Sequence, residues 1–322
     1  MSSVTLTGME APLPLLVILG PTASGKSSLG LAVAEEFEGE IISADAFAVY
    51  RGLTIGTDKP SLEDRRLVPH HLVDCLDPHE VYSAGAFADA ARAAIADIIG
   101  RGRLPVVVGG THFYIRALLL GLFPAPPRDP VIGEELARRW DRDPSATYRA
   151  LQEADPAAAE RIDANDRQRV LRALEVFEST GEPVSSHWRR HQHTPEYQPL
   201  LVAPRRSRDG LYARIDARVD SMFASGLVEE VATILASGVP REAHAFKAIG
   251  YRETMNFITG RCDLTTAIEQ TKRASRRFAK RQLTWLRDAR EGTVHWVPPI
   301  EDGGAAAVIR LWNTHTEERR AP

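Results

Sequence analysis

Hydrophobic positions fall in two rhythms. Leu15-Leu16-Val17-Ile18-Leu19 is an unbroken apolar run, the pattern of a strand covered on both faces. Gly20–Ser27 follows, then a helical pattern over Ser28–Phe37. Glu40-Ile41-Ile42-Ser43-Ala44-Asp45 predicts a second short strand that ends in a carboxylate. Apolar residues at 87, 91, 94, 95 and 98 predict one helical stripe over Ala86–Ile99. Leu104–Val108 predicts a third buried strand, closed by Gly109-Gly110. Strands alternating with helices predict an α/β fold with a parallel, doubly wound sheet.

The rhythm then changes. Pro124-Ala125-Pro126-Pro127 marks a linker. Residues 128–199 carry almost no β-branched runs and read as helices, and Pro199–Ala203 returns to the sheet. The last third is helical, with one long helix from Asp263 to about Arg287. The expected organisation is a discontinuous α/β domain over 1–125 and 199–322, with an all-helical insertion at 126–198. Residues 1–14 are expected to fray.

Composition narrows the classes. The 322 residues carry a net charge of -3, with 43% hydrophobic and 26% charged residues, ordinary for a globular chain. Two cysteines, Cys75 and Cys262, exclude a disulfide scaffold and point to a reducing compartment. Leu13–Leu19 falls far short of the ~18 residues of a membrane span, and no basic segment precedes it as in a signal peptide. The expectation is a cytoplasmic monomer with no membrane partner. A net charge near zero argues against an all-over basic nucleic-acid binder but leaves room for a local basic surface.

Gly20-Pro21-Thr22-Ala23-Ser24-Gly25-Lys26-Ser27 matches the phosphate-loop pattern G-x-x-x-x-G-K-[ST] between a strand and a helix. Its glycines let backbone N–H groups wrap a phosphate, and the helix N-terminus adds the positive end of its dipole. Lys26 brings a point charge, and the Ser27 hydroxyl can ligate Mg²⁺. The motif specifies a diphosphate or triphosphate and does not by itself single out ATP. The strand 104–108 ends without the acid that a motor or signalling NTPase places there. The acid is Asp45, on the earlier strand, so it reads as the group that meets an acceptor nucleophile, or else as a turn-capping Asp.

These residues resemble the tRNA dimethylallyltransferases (tRNA isopentenyltransferases). The phosphate loop carries the likeness, with Asp45–Gly52, Ile55–Pro60, Pro69–Asp74 and Tyr82–Phe87 in order behind it. Gly109-Gly110-Thr111, Asn165–Val170, Leu211–Asp216, Lys247–Tyr251 and Lys280–Trp285 complete the set, so the likeness runs from about 15 to 287. Each later piece is weak alone, but their ordered sum is specific. The resemblance implies a P-loop-type sheet and transfer of a dimethylallyl group from dimethylallyl diphosphate to N6 of adenosine 37, beside the tRNA anticodon. It implies that loop 20–27 holds the diphosphate, that Asp45 is the base, and that Thr111 and Arg214 sit at the reacting centre. It further implies tRNA contacts from Asp45, Ala46, Phe47, Ala48, Thr111, Gln168, Arg169, Val170, Leu171, Arg172, Lys280 and Arg281, with Mg²⁺ as cofactor. The chain departs from the family at Ala46, usually Ser, and at His112-Phe113, usually Gly-Leu. The zinc finger of eukaryotic members finds no match, so the likeness is to the bacterial type.

The chemistry suits these residue types. An adenine amine is a poor nucleophile, and the allyl carbon becomes electrophilic only as diphosphate leaves. Lys26, Arg214, Mg²⁺ and the loop amides act where that negative charge grows. A carboxylate with a pKa of about 4 can orient N6 and accept its proton as the nitrogen turns cationic. On a helix, Gln168 and Arg172 share a face opposite a buried stripe of Val170, Leu174 and Phe177, which offers a clamp for an RNA loop. The net charge over 270–290 is +7, with six cations between Lys272 and Arg281, a phosphate-tracking face opposite an inward stripe of Ile268, Ser275, Phe278 and Trp285.

Other signals carry less. His187, His191 and His193 read as a solvated or RNA-facing cluster rather than zinc ligands. One of His70 and His71 reads as a structural histidine. Both cysteines read as structural, and Gly181 as a helix stop. Three alternatives stay open: a small-molecule or nucleoside kinase, an adenylate isopentenyltransferase acting on free nucleotide, and a non-catalytic P-loop RNA-binding protein. The first two need no clamp for a stem-loop, and the third leaves Asp45, Thr111 and Arg214 unexplained.

Overall fold

The computed structural model describes residues 12–123, 126–191 and 195–317. The chain forms two compact units, one of Met1–Leu119 with Pro195–Pro322 and one of Leu120–Thr194. In the first lie β1 (Leu13–Leu19), α1 (Lys26–Glu36), β2 (Glu40–Ala44), α2 (Leu62–Leu67), β3 (His70–His71), α3 (Ala84–Gly100), β4 (Pro105–Gly109) and α4 (His112–Leu120). The helical unit holds α5 (Pro130–Arg142), α6 (Pro144–Ala154), α7 (Pro156–Ala159), α8 (Arg167–Thr180) and α9 (Val184–Arg190). The chain then returns through β5 (Tyr197–Pro204), α10 (Arg208–Ala224), α11 (Leu227–Ala236), α12 (Tyr251–Ile258), α13 (Leu264–Arg287), β6 (Val294–Val297) and α14 (Gly304–Glu317).

Among the described residues the six strands make one parallel sheet in the order β3-β2-β4-β1-β5-β6. β1 is central: Leu16 pairs with Val106 of β4 on one side and Leu200 of β5 on the other. Leu15 to Leu19 are completely buried, as the apolar run requires. One core joins Leu16, Ile18, Val106 and Val202 to Leu29 and Val33 of α1 and to Val308 and Trp312 of α14. A second gathers Val49, Tyr50 and Leu53, just beyond β2, against α11 and α12. In a parallel sheet every loop at the carboxyl ends opens on the same edge, so the segments after β1, β2 and β4 meet there.

The helical unit has its own core of Leu136, Trp140, Leu151, Val170 and Leu174. Its helices start on Asp129, Asp143 and Asp166, whose side chains accept first-turn N–H groups, and α8 stops at Gly181, with φ 72°.

Several expectations shift. β5 begins at Tyr197, two residues before the expected domain boundary at 199, because Leu13 and Pro14 extend β1 and pair with Tyr197 and Gln198. β3 and β6 are additional strands, of two and four residues, too short to leave a sequence period. Both neighbouring histidines bond: His70 Nδ1 to the Val68 carbonyl at 2.7 Å, and His71 Nε2 to Glu40 at 2.6 Å. His193 and the Pro124-Ala125 part of the linker lie outside the described residues.

Candidate active site

The phosphate loop is built by backbone conformation. Ala23 (φ 61°) and Gly25 (φ 91°) both sit in the left-handed region, which turns the chain from β1 into α1. Gly25 takes that conformation at no steric cost. α1 therefore starts with no side-chain cap and no acid in its first turn. By contrast α3, α8, α10 and α13 start on Ser83, Asp166, Ser207 and Asp263, each accepting a backbone N–H. The open N–H groups of α1 and its dipole are left to attract an anion.

Three arginines ring the loop. Arg206, just past β5, donates through Nε to the Ser24 carbonyl at 2.8 Å. Arg214 of α10 donates to the Ala23 carbonyl at 3.0 Å, and Arg218, one turn on, to Thr22 Oγ1 at 2.9 Å. Ala23 itself packs on Leu211 and Ile215 of α10 and Ala279 of α13. Among the described residues Lys26 makes one hydrogen bond, a long one, Nζ to the Pro21 carbonyl at 3.4 Å. Desolvation and the neighbouring Arg218 guanidinium push its ammonium down to about 8, with Asp45 and Asp58 opposing. Its charge is thus in electrostatic reach of Asp45.

Asp45 stands one residue past β2. Its Oδ1 accepts from the N–H groups of Phe47 (2.8 Å) and Ala48 (3.1 Å). Both readings of this residue therefore hold in part: it makes a turn, and it does so through one oxygen, leaving Oδ2 without a donor among the described residues. Thr111, just past β4, donates its N–H to the Ala44 carbonyl at 3.2 Å and accepts the Ala46 N–H on Oγ1 at 3.1 Å. These two bonds tie the ends of β2 and β4, so Asp45 and Thr111 sit side by side. Phe47 is half-buried and stacks on His244, with centroids 5.7 Å apart. Ala48 is buried beneath the turn and offers little surface to a ligand.

The remaining predicted RNA contacts divide. Gln168 and Arg169 are exposed on α8. Val170 is fully buried and Leu171 packs on the same core, so neither side chain is presented outward. Arg172 is half-buried, pairs with Glu175 at 2.9 Å and donates to the Pro126 carbonyl at 2.7 Å. On α13, Lys280 and Arg281 are exposed, as are Arg273 and Arg277. Lys272 and Arg276 instead pair with Asp220 and Asp216 of α10, so two of the six cations are already neutralised. The buried stripe of α13 is Ala267, Thr271, Ala279, Gln282 and Leu286; the expected Ile268, Ser275, Phe278 and Trp285 are only half-buried beside it.

Sequence reasoning missed Arg206, Arg218 and Gln282. Arg218 was findable: it lies four residues after Arg214 and so on the same helix face. In the sequence His112 shows only as a departure from the family pattern. It is buried, lies flat on Trp285 at 4.2 Å, and desolvation with the nearby Lys26 charge holds its pKa down near 3, so it is neutral at physiological pH. Among the described residues no three His, Cys, Asp or Glu could hold a metal by themselves, and no helix is long and apolar enough to cross a membrane.

Known proteins resemble the chain in sequence and in fold. The sequence model of the IPP transferase family matches residues 48–289. The chain is 47% identical over 302 residues to tRNA dimethylallyltransferase 1 of Citrifermentans bemidjiense, covering 93% of this chain and 96% of that one. It is 45% identical to the tRNA dimethylallyltransferase of Thermomicrobium roseum, covering 90% and 88%. The full-length tRNA isopentenylpyrophosphate transferase of Bacillus halodurans superposes with a TM-score of 0.71 at 36% identity, over 95% of this chain and 98% of that one. A eukaryotic dimethylallyltransferase acting on tRNA superposes at 0.77 and 29% identity, over 89% and 74%. With the match spanning well over half its length, the chain belongs to the IPP transferase family.

Proposed function

We propose that the chain transfers a dimethylallyl group from dimethylallyl diphosphate to N6 of adenosine 37 in a tRNA anticodon stem-loop, releasing diphosphate. The observation that carries this reading is the pairing of an uncapped phosphate loop with a carboxylate that keeps one oxygen without a donor among the described residues, Lys26 and Asp45 lying within electrostatic reach of each other.

The geometry supports the following roles. The α1 N–H groups and Lys26 receive the diphosphate, and Arg214 and Arg218 stand beside them to meet the charge that grows as the allyl C–O bond breaks. Asp45 holds its turn through Oδ1 and presents Oδ2 to the amine, orienting N6 and then taking its proton. Thr111 Oγ1 is fixed by the Ala46 N–H, and its own hydroxyl proton remains to donate to the purine. Extruding a loop base costs only a few kcal/mol.

Mg²⁺ fits the donor chemistry here, which is all oxygen: the exposed Ser27 hydroxyl on the loop together with oxygens of the diphosphate itself. Ser27 would hold it, and when bound the ion supplies neutralisation of the departing diphosphate.

One assay tests the reading. The protein is given labelled dimethylallyl diphosphate with ATP, free AMP and an anticodon stem-loop containing adenosine 37. Label should enter the stem-loop while ATP is untouched. Label in AMP, or consumption of ATP, would overturn it.

A further inference from the structure

Gln282 lies on α13 at 3% exposure, in the helix whose outer face carries Arg277, Lys280 and Arg281. Its side chain reaches across the molecule to two distant backbone groups. Oε1 accepts the Thr22 N–H at 2.9 Å, and Nε2 donates to the Gly110 carbonyl at 2.8 Å. One carboxamide thus joins the phosphate loop after β1 to the Gly110-Thr111 turn after β4. An uncharged amide is suited to this because it offers a donor and an acceptor at a fixed separation.

The surroundings make the bridge consequential. A Cβ on Gly110 would lie 2.6 Å from Gln282 Nε2 and 3.4 Å from Lys26 Cε, so this backbone is wedged between the two side chains. A Gly110 carbonyl without its Nε2 donor would be a buried acceptor left unsatisfied at a turn that the Lys26 side chain approaches. Lys26, whose one hydrogen bond among the described residues is long, is left available to an anion. Thr22 is gripped from both sides, its N–H by Gln282 and its hydroxyl by Arg218. The Gln282 bond to Gly110 is buried and the one to Thr22 partly so, and losing a partner there leaves a polar group unsatisfied.

We propose that Gln282 is a positioning residue for the diphosphate: it occupies the Gly110 carbonyl and fixes Thr22 so that Lys26 and the loop amides face the leaving group. This rests on the prenyl-transfer reading above and assigns a residue on the basic helix to the donor side of that reaction.

The test compares wild type, Gln282→Met, which keeps the length and removes both hydrogen bonds, and Gln282→Glu, which keeps the acceptor and loses the donor. Donor and stem-loop concentrations are varied separately, inorganic diphosphate is titrated by calorimetry, and melting curves check the fold. The Met variant should raise the donor KM and the diphosphate Kd by about tenfold or more, the scale of a slightly misplaced binding group, with the stem-loop KM within twofold. If the Met variant does not fold, the Glu variant decides by the same readouts and should lose more, because its carboxylate adds a negative charge beside the cradle. A donor KM within twofold of wild type, or an equal rise for both substrates, overturns the proposal. Failure of wild type to prenylate RNA would sink the function itself, and the diphosphate titration would still decide the role of Gln282.

Discussion

Arg214 of the phosphate cradle and the paired arginines of the helical unit are used in opposite ways. Around the loop, Arg214 donates to a carbonyl, a neutral partner that fixes the side chain without cancelling its charge, whereas Arg218 donates to the Thr22 hydroxyl and also pairs with Asp58 at 3.5 Å, and Arg206 pairs with Glu301. In the helical unit Arg139 pairs with Glu178, Arg167 with Asp141, Arg172 with Glu175 and Arg190 with Glu182. Arg214 therefore holds, in a fixed geometry beside the loop, a positive charge that no carboxylate pairs with among the described residues, whereas these four arginines of the helical unit are each paired to a carboxylate of that unit. Preorganised, uncompensated charge is what a leaving diphosphate needs. Side chains already paired to carboxylates contribute little to binding a polyanion and little to stability when exposed.

The strongest way to break that contrast is at Asp45, the acid placed across from the stored charge. Asp45→Asn keeps an oxygen for the Phe47 and Ala48 N–H groups, so the turn survives, and removes the base. Single-turnover transfer should slow by ~10²–10⁴-fold with little change in melting. A rate within threefold of wild type would remove the carboxylate from the chemistry.

Arg214 and Arg206 sharpen the contrast inside the cradle. Both donate to loop carbonyls, but Arg206 also pairs with Glu301 at 2.8 Å. If free charge is what counts, Arg214→Ala should cost kcat/KM for the donor about 10²-fold, the scale of one lost charge-stabilising group, and Arg206→Ala clearly less. Equal losses would mean that the arginines serve to brace the loop.

The phosphate loop and Asp45 were legible because their signals are local: a strand, eight residues of fixed pattern and a helix, and an acid at a strand end. Legibility fails where partners lie far apart in sequence. Gln282 meets Thr22 across 260 positions, and nothing in its own neighbourhood marks an amide as a bridge. The pairing of Lys272 and Arg276 with Asp220 and Asp216 likewise depends on α10 packing against α13. The buried stripe of α13 slipped by about a residue because Ala267, Thr271 and Ala279 are small or polar and carry weak hydrophobic signals. β3 and β6 exist through their neighbours, β2 and β5, rather than through their own pattern.

The held-down ammonium of Lys26 gives the comparison a pH axis. With a pKa of about 8 in the free protein, Lys26 is charged below that value and neutral above it. Diphosphate binding favours the charged form, so donor affinity should be full below pH 8 and fall by roughly tenfold at pH 9, where about a tenth of the amine is protonated. Calorimetry near pH 8 in buffers of different ionisation enthalpy should also show proton uptake on binding. A donor KM that is flat from pH 7 to 9 would show that the cradle charge does not rest on Lys26.

The smallest effects separate the two regions by salt. Arg277, Lys280 and Arg281 are exposed on α13, whereas Arg139 in the helical unit sits on Glu178 at 2.7 Å. A cation that neutralises an RNA phosphate releases counterions, and each such contact steepens the log–log dependence of affinity on salt by about 0.7 to 0.9. Alanine at any one of the three α13 positions should therefore flatten the stem-loop salt slope by roughly that amount and weaken binding only modestly at physiological ionic strength. Arg139→Ala removes a side chain whose charge is already answered, so the slope should not move and stability should change by less than about 1 kcal/mol. The result that would reverse the contrast is a slope change at Arg139 with none on α13, since the phosphates would then be reading the region whose charges the fold has paired.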